Sequence, residues 1–398
     1  MKEINLSNLK DNAVFKLSLS SKELFHSNFL DWLANCTETR TLFNEILHNV
    51  FGCKTLTYDP LLHLTLREYK NFDFCICERI IKDSEHKNGQ EKYGRILFVL
   101  ENKFKSIPKK KQLDEYASKA INYNDIIYNK RKESLESKVP YFTLLTLAET
   151  FRDKKAIEES HTSKWTIATY KDYALSLKNN SIKDPFTKSL IEKYTEFIII
   201  FEEYVNSRLP EVTNDNKEWL EAFKSGIDPE IRLDDIWQKL VAEVLAEKIK
   251  QKLSSPNYHA IEVETGYSHS SASISIYVKL NEYFCGIQIQ GNKYRKVLGI
   301  KADGKLAKKK GLSTDLEKQK SKDRSVDSIY AENIILKEYP QLAGKDSIFS
   351  YDPKATKRQF CKFGAGFVYQ RTSLSGSIAH VIEVVVSDIE KIIMLTQS

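Results

Sequence analysis

The sequence contains little of what marks a fibrous, disordered or membrane-spanning chain. Among its 398 residues are only 14 Gly and 9 Pro, too few for a collagen-like repeat or a long low-complexity linker. The longest apolar runs, such as residues 197–201, are far shorter than the stretch of about 20 residues that crosses a bilayer. The first residues also lack the apolar core of a signal peptide. We therefore expect no contact with a membrane.

Cysteine is sparse as well. The six cysteines are scattered and form no C-x-x-C pair. Cys75 and Cys77 share one face of a predicted strand, but no second Cys or His pair has the spacing of a zinc site. We expect small core residues with reduced thiols, and a cytoplasmic protein.

What the chain does contain is enough apolar sequence for a core and enough charge for solubility, at 41% hydrophobic and 29% charged residues. Its length exceeds one ordinary domain of about 100–200 residues and predicts two or three. The net charge of +7 is compatible with a polyanionic partner, although many proteins without one carry a similar charge.

The N-terminal half alternates between helical and strand-like periodicity. Helical spacing covers residues 20–51, where Ser20 and Glu23 fit a capping box, and recurs at 109–130 and 187–206. Strand-like segments occupy 61–69, 71–81, 95–103 and 141–149, a polar loop fills 82–94, and 165–177 predicts a short strand followed by a helix. This order predicts a mixed α/β layer.

The C-terminal half has a different pattern. A long amphipathic helix is predicted over 229–253, followed by an antiparallel meander of strands at 259–265, 272–280, 283–290 and 295–301. Short strands near 346–350 and 366–371 and helices over 326–338 and from about 375 complete an α+β domain. The polar segment 207–215 contains a proline, so we place the boundary there, giving domains 1–207 and 208–398.

One group of residues carries chemistry. Asp73 lies on the strand 71–81, and Glu101 and Lys103 end the strand 95–103. Residues i and i+2 of a strand face the same side, so Glu101 and Lys103 project together and Asp73 can meet them from a neighbouring strand. Two carboxylates suit a hard cation such as Mg²⁺, and an ammonium beside it can offset charge in a transition state.

These features resemble the PD-(D/E)XK nuclease superfamily, in its branch of bacterial PD-(D/E)XK nuclease-like proteins. Four segments carry the resemblance: ELFHSNFLDWL (23–33), REYKNFDFCI (67–76), LFVLENK (97–103) and QLDEY (112–116). They cover roughly residues 18–175, under half of the chain. Phe72 precedes Asp73 where the literal pattern has proline. The C-terminal half shows no such resemblance, so its role is left between substrate recognition, partner binding and self-association.

The resemblance implies a restriction-endonuclease-like mixed sheet flanked by helices, and a nuclease that hydrolyses DNA with Mg²⁺ or Mn²⁺. Asp73 and Glu101 would bind the metal, and Lys103 would position or activate water. Glu23 would add a catalytic carboxylate. Gln112 and Tyr116, four apart on one helical face, would support the site or contact DNA. Bacterial defence or DNA maintenance is the setting that it implies.

Each assignment has a plainer alternative. Four lysines follow the E-x-K segment: Lys105, Lys109, Lys110 and Lys111. They would attract phosphates through counterion release, and the alternative is that they form an ordinary solvated surface. Glu23 is explained equally well by its capping box, and Gln112 and Tyr116 by an ordinary helix surface. The alternative for the whole chain is a non-catalytic nucleic-acid-binding or interaction protein on a nuclease-like scaffold.

Overall fold

The computed structural model describes most of the chain. The described residues are 12, 14, 15, 17, 23–80, 92–104, 106–131, 139–147, 149, 151, 153–161, 163–178, 180–226, 229–253, 261–300, 331–344, 347–351, 359–364 and 366–397. None of the helices in this part of the chain combines the length and the apolar character needed to cross a membrane.

The chain divides into two compact units. The N-terminal unit comprises Met1–Leu209 and Ile227–Ile236, and the C-terminal unit comprises Pro210–Gly226 and Trp237–Ser398. The fold is mixed α/β, with a five-stranded mixed sheet in the first unit and a six-stranded antiparallel sheet in the second. The functional roles assigned from sequence to residues 1–207 and 208–398 stay predictions.

The N-terminal unit is built on five strands in the order β1-β2-β3-β4-β5. The strands are β1 His63–Tyr69, β2 Phe72–Ile80, β3 Lys92–Lys103, β4 Tyr141–Thr146 and β5 Trp165–Thr169. Strands β1, β2 and β3 pair antiparallel, whereas β3, β4 and β5 are parallel. The end of β3, which carries Glu101 and Lys103, therefore lies beside the ends of β4 and β5.

Helices whose bounds are described accompany this sheet, and the last of them continues into the C-terminal unit. They are α1 Glu23–Asn35, α2 Arg40–Asn49, α3 Lys110–Arg131, α4 Lys154–Glu158, α5 Tyr170–Lys178 and α6 Pro185–Val212. Buried aromatic side chains fill the space between helices and sheet. Phe43 of α2 lies 6.1 Å from Phe74 of β2, and Phe51 stacks on Phe98 of β3 at 5.9 Å.

An irregularity in β3 fixes the position of helix α3. The β2–β3 register shifts between Ile76 and Cys77, so Ile76 pairs with Phe98 while Cys77 pairs with Ile96. The buried side chain of Asn124 on α3 bonds both the N–H and the C=O of Ile96, each at 2.8 Å. A buried backbone group costs free energy unless it is paired. This bridge therefore ties α3 to the strand that ends in the candidate site.

The C-terminal unit is built on six strands in the order β10-β11-β9-β8-β7-β6, all antiparallel. They are β6 Ile261–Ser268, β7 Ser271–Leu280, β8 Tyr283–Gln290, β9 Lys293–Ile300, β10 Cys361–Gly364 and β11 Phe367–Ser373. The α-helices described in this unit are α7 Trp219–Ala222, α8 Asp234–Lys252, whose first three residues belong to the N-terminal unit, α9 Ala331–Glu338 and α10 Ile378–Gln397. The predicted meander is confirmed, and its turn residue Asn281 has a left-handed φ of 44°.

Three sequence expectations were wrong in detail. Strand β3 begins at Lys92, inside the predicted loop 82–94, because Ile80 pairs with Lys92 across the hairpin. The segment near 346–350 has no strand among its described residues, only the isolated bridge between Ala343 and Phe349. Helix α6 runs through the proposed linker to Val212, with Pro210 in its last turn, where the loss of an N–H donor costs one hydrogen bond.

The buried cysteines behave as expected for core residues. Cys75 and Cys77 are fully buried, with their sulfur atoms 3.9 Å apart. The contact with Cys77, together with burial, holds the pKa of the Cys75 thiol well above its usual value. A thiol held protonated is a poor metal ligand.

The sequence also contains a lysine-rich stretch from Lys301 to Arg324, which lies outside the described residues.

Candidate functional site

The structure brings Asp73 to the end of β3. Phe74 pairs with Leu100 and Cys75 with Val99, so the next position along this register sets Asp73 opposite Glu101. Side chains of directly opposed residues lie on the same face of a sheet. The Oδ2 atom of Asp73 accepts a hydrogen bond of 2.7 Å from the backbone N–H of Asn102. The aspartate is thus held against the segment Glu101-Asn102-Lys103, as the sequence predicted.

Glu101 and Lys103 form a buried ion pair at the same place. The Nζ atom of Lys103 lies 2.6 Å from Oε1 of Glu101, and their side chains are only 9% and 2% exposed. Burying two charges costs several kcal/mol per ion, which a single contact barely repays. Such a pair is weak evidence for stability, and its position at a strand end makes it a candidate for function.

The first two turns of helix α3 supply two more groups. The Nε2 atom of Gln112 donates to Oε1 of Glu101 at 3.2 Å and lies 3.0 Å from the hydroxyl of Tyr116. The Tyr116 ring packs edge-on against Phe72, the residue before Asp73, with centroids 5.8 Å apart. Gln112 and Tyr116 therefore face the carboxylates, and neither is a simple surface residue of the helix.

Asn102 was missed by sequence reasoning because it stands at the variable position of E-x-K. Its neighbours Glu101 and Lys103 face one side of β3, so Asn102 faces the other. There its Oδ1 atom accepts a hydrogen bond from the hydroxyl of Tyr170, the first residue of α5. Asn102 is fully buried, and its backbone also holds Asp73. This residue joins the candidate site to the parallel strands, since α5 follows β5 directly.

The region behind Asn102 is an aromatic cluster around His26. The ring of His26 lies 4.1 Å from that of Phe104 and 5.1 Å from that of Tyr170, and its Nδ1 atom is 2.8 Å from the hydroxyl of Tyr194. His26 is almost completely buried. A structural role for His26 explains these contacts without any catalysis.

A groove of about 790 Å³ runs along α3. Four residues of α3, spaced by four, three and four positions, lie on one face of the helix: they are Gln112, Tyr116, Lys119 and Tyr123. The last two also line the groove. At its far end the Nζ atom of Lys70 lies 4.6 Å from the centre of the Tyr123 ring. Lys119 donates to the carbonyl of Lys70 at 2.6 Å. Lys119 and Tyr123 could have been found from the sequence, because they continue the helical spacing of Gln112 and Tyr116. No pattern in the sequence indicates that Lys70 lies beside them.

The predicted lysines are not equivalent. Lys109 and Lys111 are exposed. Lys110 pairs with Asp114 on the same helix, and both line the groove. Lys105 lies outside the described residues. Glu23 is the first residue of α1, and its side chain also lies outside the part of the structure that is described.

The two carboxylates suit a hard divalent cation by their chemistry. Asp73 and Glu101 provide oxygen atoms on one face, and Mg²⁺ is usually held by one or two carboxylates together with water and substrate phosphates. Within the described ranges no group of three or more His, Cys, Asp or Glu side chains is arranged to hold a metal.

Fold and site together define a mixed α/β protein with a buried carboxylate–lysine group at the end of a central strand. Comparisons with protein-family models, with curated proteins and with solved structures found no match.

Proposed function

We propose that this protein is a metal-dependent phosphodiesterase that hydrolyses DNA. The observation that carries the proposal is the juxtaposition of Asp73, Glu101 and Lys103. Asp73 bonds the backbone between the other two, and the lysine ammonium lies 2.6 Å from the glutamate. The setting in bacterial defence or DNA maintenance rests on the family resemblance alone.

Each residue has a role in this reaction. A divalent cation, when bound, supplies positive charge that stabilises phosphoryl oxygens and lowers the pKa of water. Asp73 and Glu101 would hold it through oxygen atoms. The Lys103 ammonium neutralises Glu101 in the ligand-free protein, and with substrate bound it would orient the attacking water and offset negative charge at phosphorus. Gln112 would keep Glu101 in place through its hydrogen bond.

The groove along α3 supports a nucleic-acid substrate. Four lysines and two acidic residues line it, so its surface has a net positive charge; the lysines are Lys70, Lys110, Lys111 and Lys119. Lysines that neutralise phosphates gain affinity through the release of counterions. The backbone of DNA lying along Lys110 and Lys111 would come close to the carboxylates, because the next residue of α3, Gln112, bonds Glu101.

The test is cleavage of plasmid and linear DNA by the purified protein with Mg²⁺ or Mn²⁺. Asp73→Asn, Glu101→Gln and Lys103→Met should each lower the rate by at least about 10²-fold. Binding of Mn²⁺, followed by electron paramagnetic resonance, should weaken in Asp73→Asn and Glu101→Gln. Circular dichroism would establish that each variant is folded. Equal cleavage by the wild type and all three folded variants would overturn the proposal.

The groove is tested separately by charge reversal. Lys111→Glu should weaken binding of duplex DNA about tenfold at low salt, since it removes one phosphate contact and adds a repulsion. Lys188→Glu is the matched control, because Lys188 is an exposed lysine of the same unit on helix α6. Equal losses in the two variants would mean that only net charge matters. Salt-sensitive binding without any metal-dependent cleavage would favour the alternative, a binding protein on a nuclease-like scaffold.

A further inference from the structure

The six-stranded sheet of the C-terminal unit has two unlike faces. On one face the side chains meet helices: Thr265 bonds Glu243 of α8, and Tyr294 of β9 bonds Asp388 of α10 at 2.8 Å. Strand residues alternate between faces, so the neighbours of these residues point the other way. That second face, here called the platform face, carries residues that the nuclease proposal does not use.

Aromatic rings line one part of the platform face. Phe284 of β8 lies 4.8 Å from Tyr277 of β7 and 5.9 Å from Phe367 of β11, measured between ring centroids. Tyr369 stands two residues beyond Phe367 and therefore shares its face. All four rings are partly exposed. Such a group is unusual for the outer face of an antiparallel sheet, which normally carries scattered polar residues.

A glycine in strand β9 leaves the space that one of these rings occupies. Gly299 of β9 stands directly opposite both Phe284 and Phe367. The ring of Phe284 covers it so closely that a Cβ atom at this position would lie 1.9 Å from the ring. Because Gly299 has no side chain, the Phe284 ring lies across the sheet. It thereby offers an aromatic surface along the strands β8, β9 and β11.

Cationic and amide side chains form the next row of the same face. One residue from each of the strands β7, β8, β9 and β11 belongs to this row, and each stands opposite the next across the sheet: Ser275, Gln288, Arg295 and Arg371. Arg295 is only 5% exposed and donates to the side-chain carbonyls of Gln288 at 2.8 Å and Gln290 at 3.0 Å. Its guanidinium also lies 5.4 Å from the centre of the Tyr369 ring. The aromatic and cationic rows are thus in contact.

The charge of the platform face has one sign over most of its width. The strands β7, β8, β9 and β11 contain no Asp or Glu, and the cations they place on this face are Lys279, Lys293, Arg295 and Arg371. Acidic residues enter only on the edge strand β6, where Glu262 pairs with Lys279 at 3.2 Å. An anionic partner is therefore complementary to this surface.

We propose that the platform face binds single-stranded DNA. Stacking rings require a partner with flat π-faces, and the cations require a partner with regularly spaced negative charge. Unpaired bases on a phosphate backbone supply both, whereas the bases of a duplex are stacked on each other and hidden from rings on a flat sheet. The choice of DNA over RNA rests on the proposed function of the N-terminal unit.

The test is fluorescence anisotropy of a labelled oligothymidylate of about 16 nucleotides with the full chain in EDTA, where metal-dependent cleavage is off. Arg371→Glu, at an exposed position, should weaken binding about tenfold, and Tyr369→Ala should do so by a similar factor, since stacking on one base is lost. Tyr369→Phe keeps the ring and should bind like the wild type. Lys337→Glu makes the same charge change on helix α9 and should have no effect.

The outcomes separate this proposal from the nuclease proposal. Arg371→Glu should still cleave duplex DNA at the wild-type rate, whereas Lys103→Met should still bind the oligothymidylate. Unchanged anisotropy in both Arg371→Glu and Tyr369→Ala would overturn the platform as a binding surface, whatever the fate of cleavage. Tighter binding of oligouridylate than of oligothymidylate would overturn the choice of DNA, and tighter binding of a duplex would overturn the choice of a single strand.

Discussion

The two sheets of this protein carry their charged residues in different ways. In the N-terminal unit the charges of interest are gathered at one strand end and buried, with Glu101 and Lys103 under a tenth exposed. In the C-terminal unit they are spread over one face, and Lys279, Lys293 and Arg371 are exposed. A buried charged group is expensive, and a solvated one is not. Buried charges at a strand end are therefore the feature expected of a reacting site, and solvated charges spread over a sheet face are the feature expected of a binding surface.

The same contrast appears in the supporting contacts. Around Glu101, hydrogen bonds from the helix α3 and the backbone of β3 fix individual atoms, as catalysis requires. On the platform face, Phe284 packs against Tyr277 and Phe367, and ring surfaces tolerate many orientations of a base. The first arrangement suits one reacting phosphate, and the second suits a strand whose sequence varies.

The largest expected effect is on the free energy of unfolding, when a buried ion pair is broken and compared with an exposed one. Glu101→Ala leaves the Lys103 ammonium in a buried site without its carboxylate, so the free energy of unfolding should fall by about 3–5 kcal/mol. Glu221→Ala removes an ion pair with Lys224 that is largely exposed, and it should cost less than about 1 kcal/mol. Urea denaturation followed by circular dichroism measures both. Equal costs would show that the Glu101–Lys103 pair is solvated and would remove the contrast between the two units.

The second effect belongs to the platform face. Gly299→Ala would place a Cβ atom inside the space of the Phe284 ring, so the ring must leave its position. We expect a loss of about 1–3 kcal/mol in the free energy of unfolding, as for an overpacked core. Gly366→Ala is the control, since the nearest atom to a new Cβ there is 4.0 Å away. A Gly299→Ala variant as stable as wild type would mean that the ring is not held by the sheet.

The third effect concerns the link between Asn102 and Tyr170. Tyr170→Phe removes the hydroxyl that donates to Oδ1 of Asn102, and the loss of a buried hydrogen bond costs about 1 kcal/mol. Because Asn102 also holds Asp73, the apparent affinity for Mn²⁺ should fall as well. Tyr141→Phe removes an exposed hydroxyl bonded to Thr55 and should change neither quantity. A stability loss without any change in Mn²⁺ affinity would make Tyr170 a purely structural residue.

Much of this arrangement was predictable from sequence, because alternation and helical spacing are local signals. The antiparallel pairing of β2 with β3 and the approach of Asp73 to the E-x-K segment followed from strand period and loop length. The antiparallel meander of β6 to β9 followed from four alternating runs in succession. These elements form where local pattern and tertiary pairing agree.

The rest depended on contacts between residues distant in sequence. Tyr170 meets Asn102 only because β3, β4 and β5 run parallel, and the register shift that frees Ile96 for Asn124 has no local signature. Strand β3 extends back to Lys92 because its partner Ile80 provides hydrogen bonds there, although the segment reads as polar loop. The platform face was missed for the same reason, since its rows join residues from four strands.

The smallest effect tests how far burial alone controls a carboxyl group away from the site. Burial raises the pKa of Glu202 on α6, against the opposing charge of Lys171. A folded-state pKa above the unfolded value means that this group stabilises the fold fully at acidic pH, below its unfolded pKa. That contribution is lost as the pH rises through the folded pKa. Glu202→Gln cannot ionise, so at neutral pH it should be more stable than wild type by about 1 kcal/mol or less, or about 2–4 °C in Tm.

The pH dependence makes this prediction specific. The difference in Tm between Glu202→Gln and wild type should shrink as the pH is lowered toward the unfolded pKa of about 4.3, because the wild-type carboxyl then also becomes neutral. Glu203→Gln is the neighbouring control, since Glu203 is exposed. If Glu202→Gln lowered Tm at neutral pH, the Lys171 charge would outweigh burial. A buried carboxylate beside a lysine would then be stabilising in this unit, and the cost assigned to the Glu101–Lys103 pair would have to be revised downward.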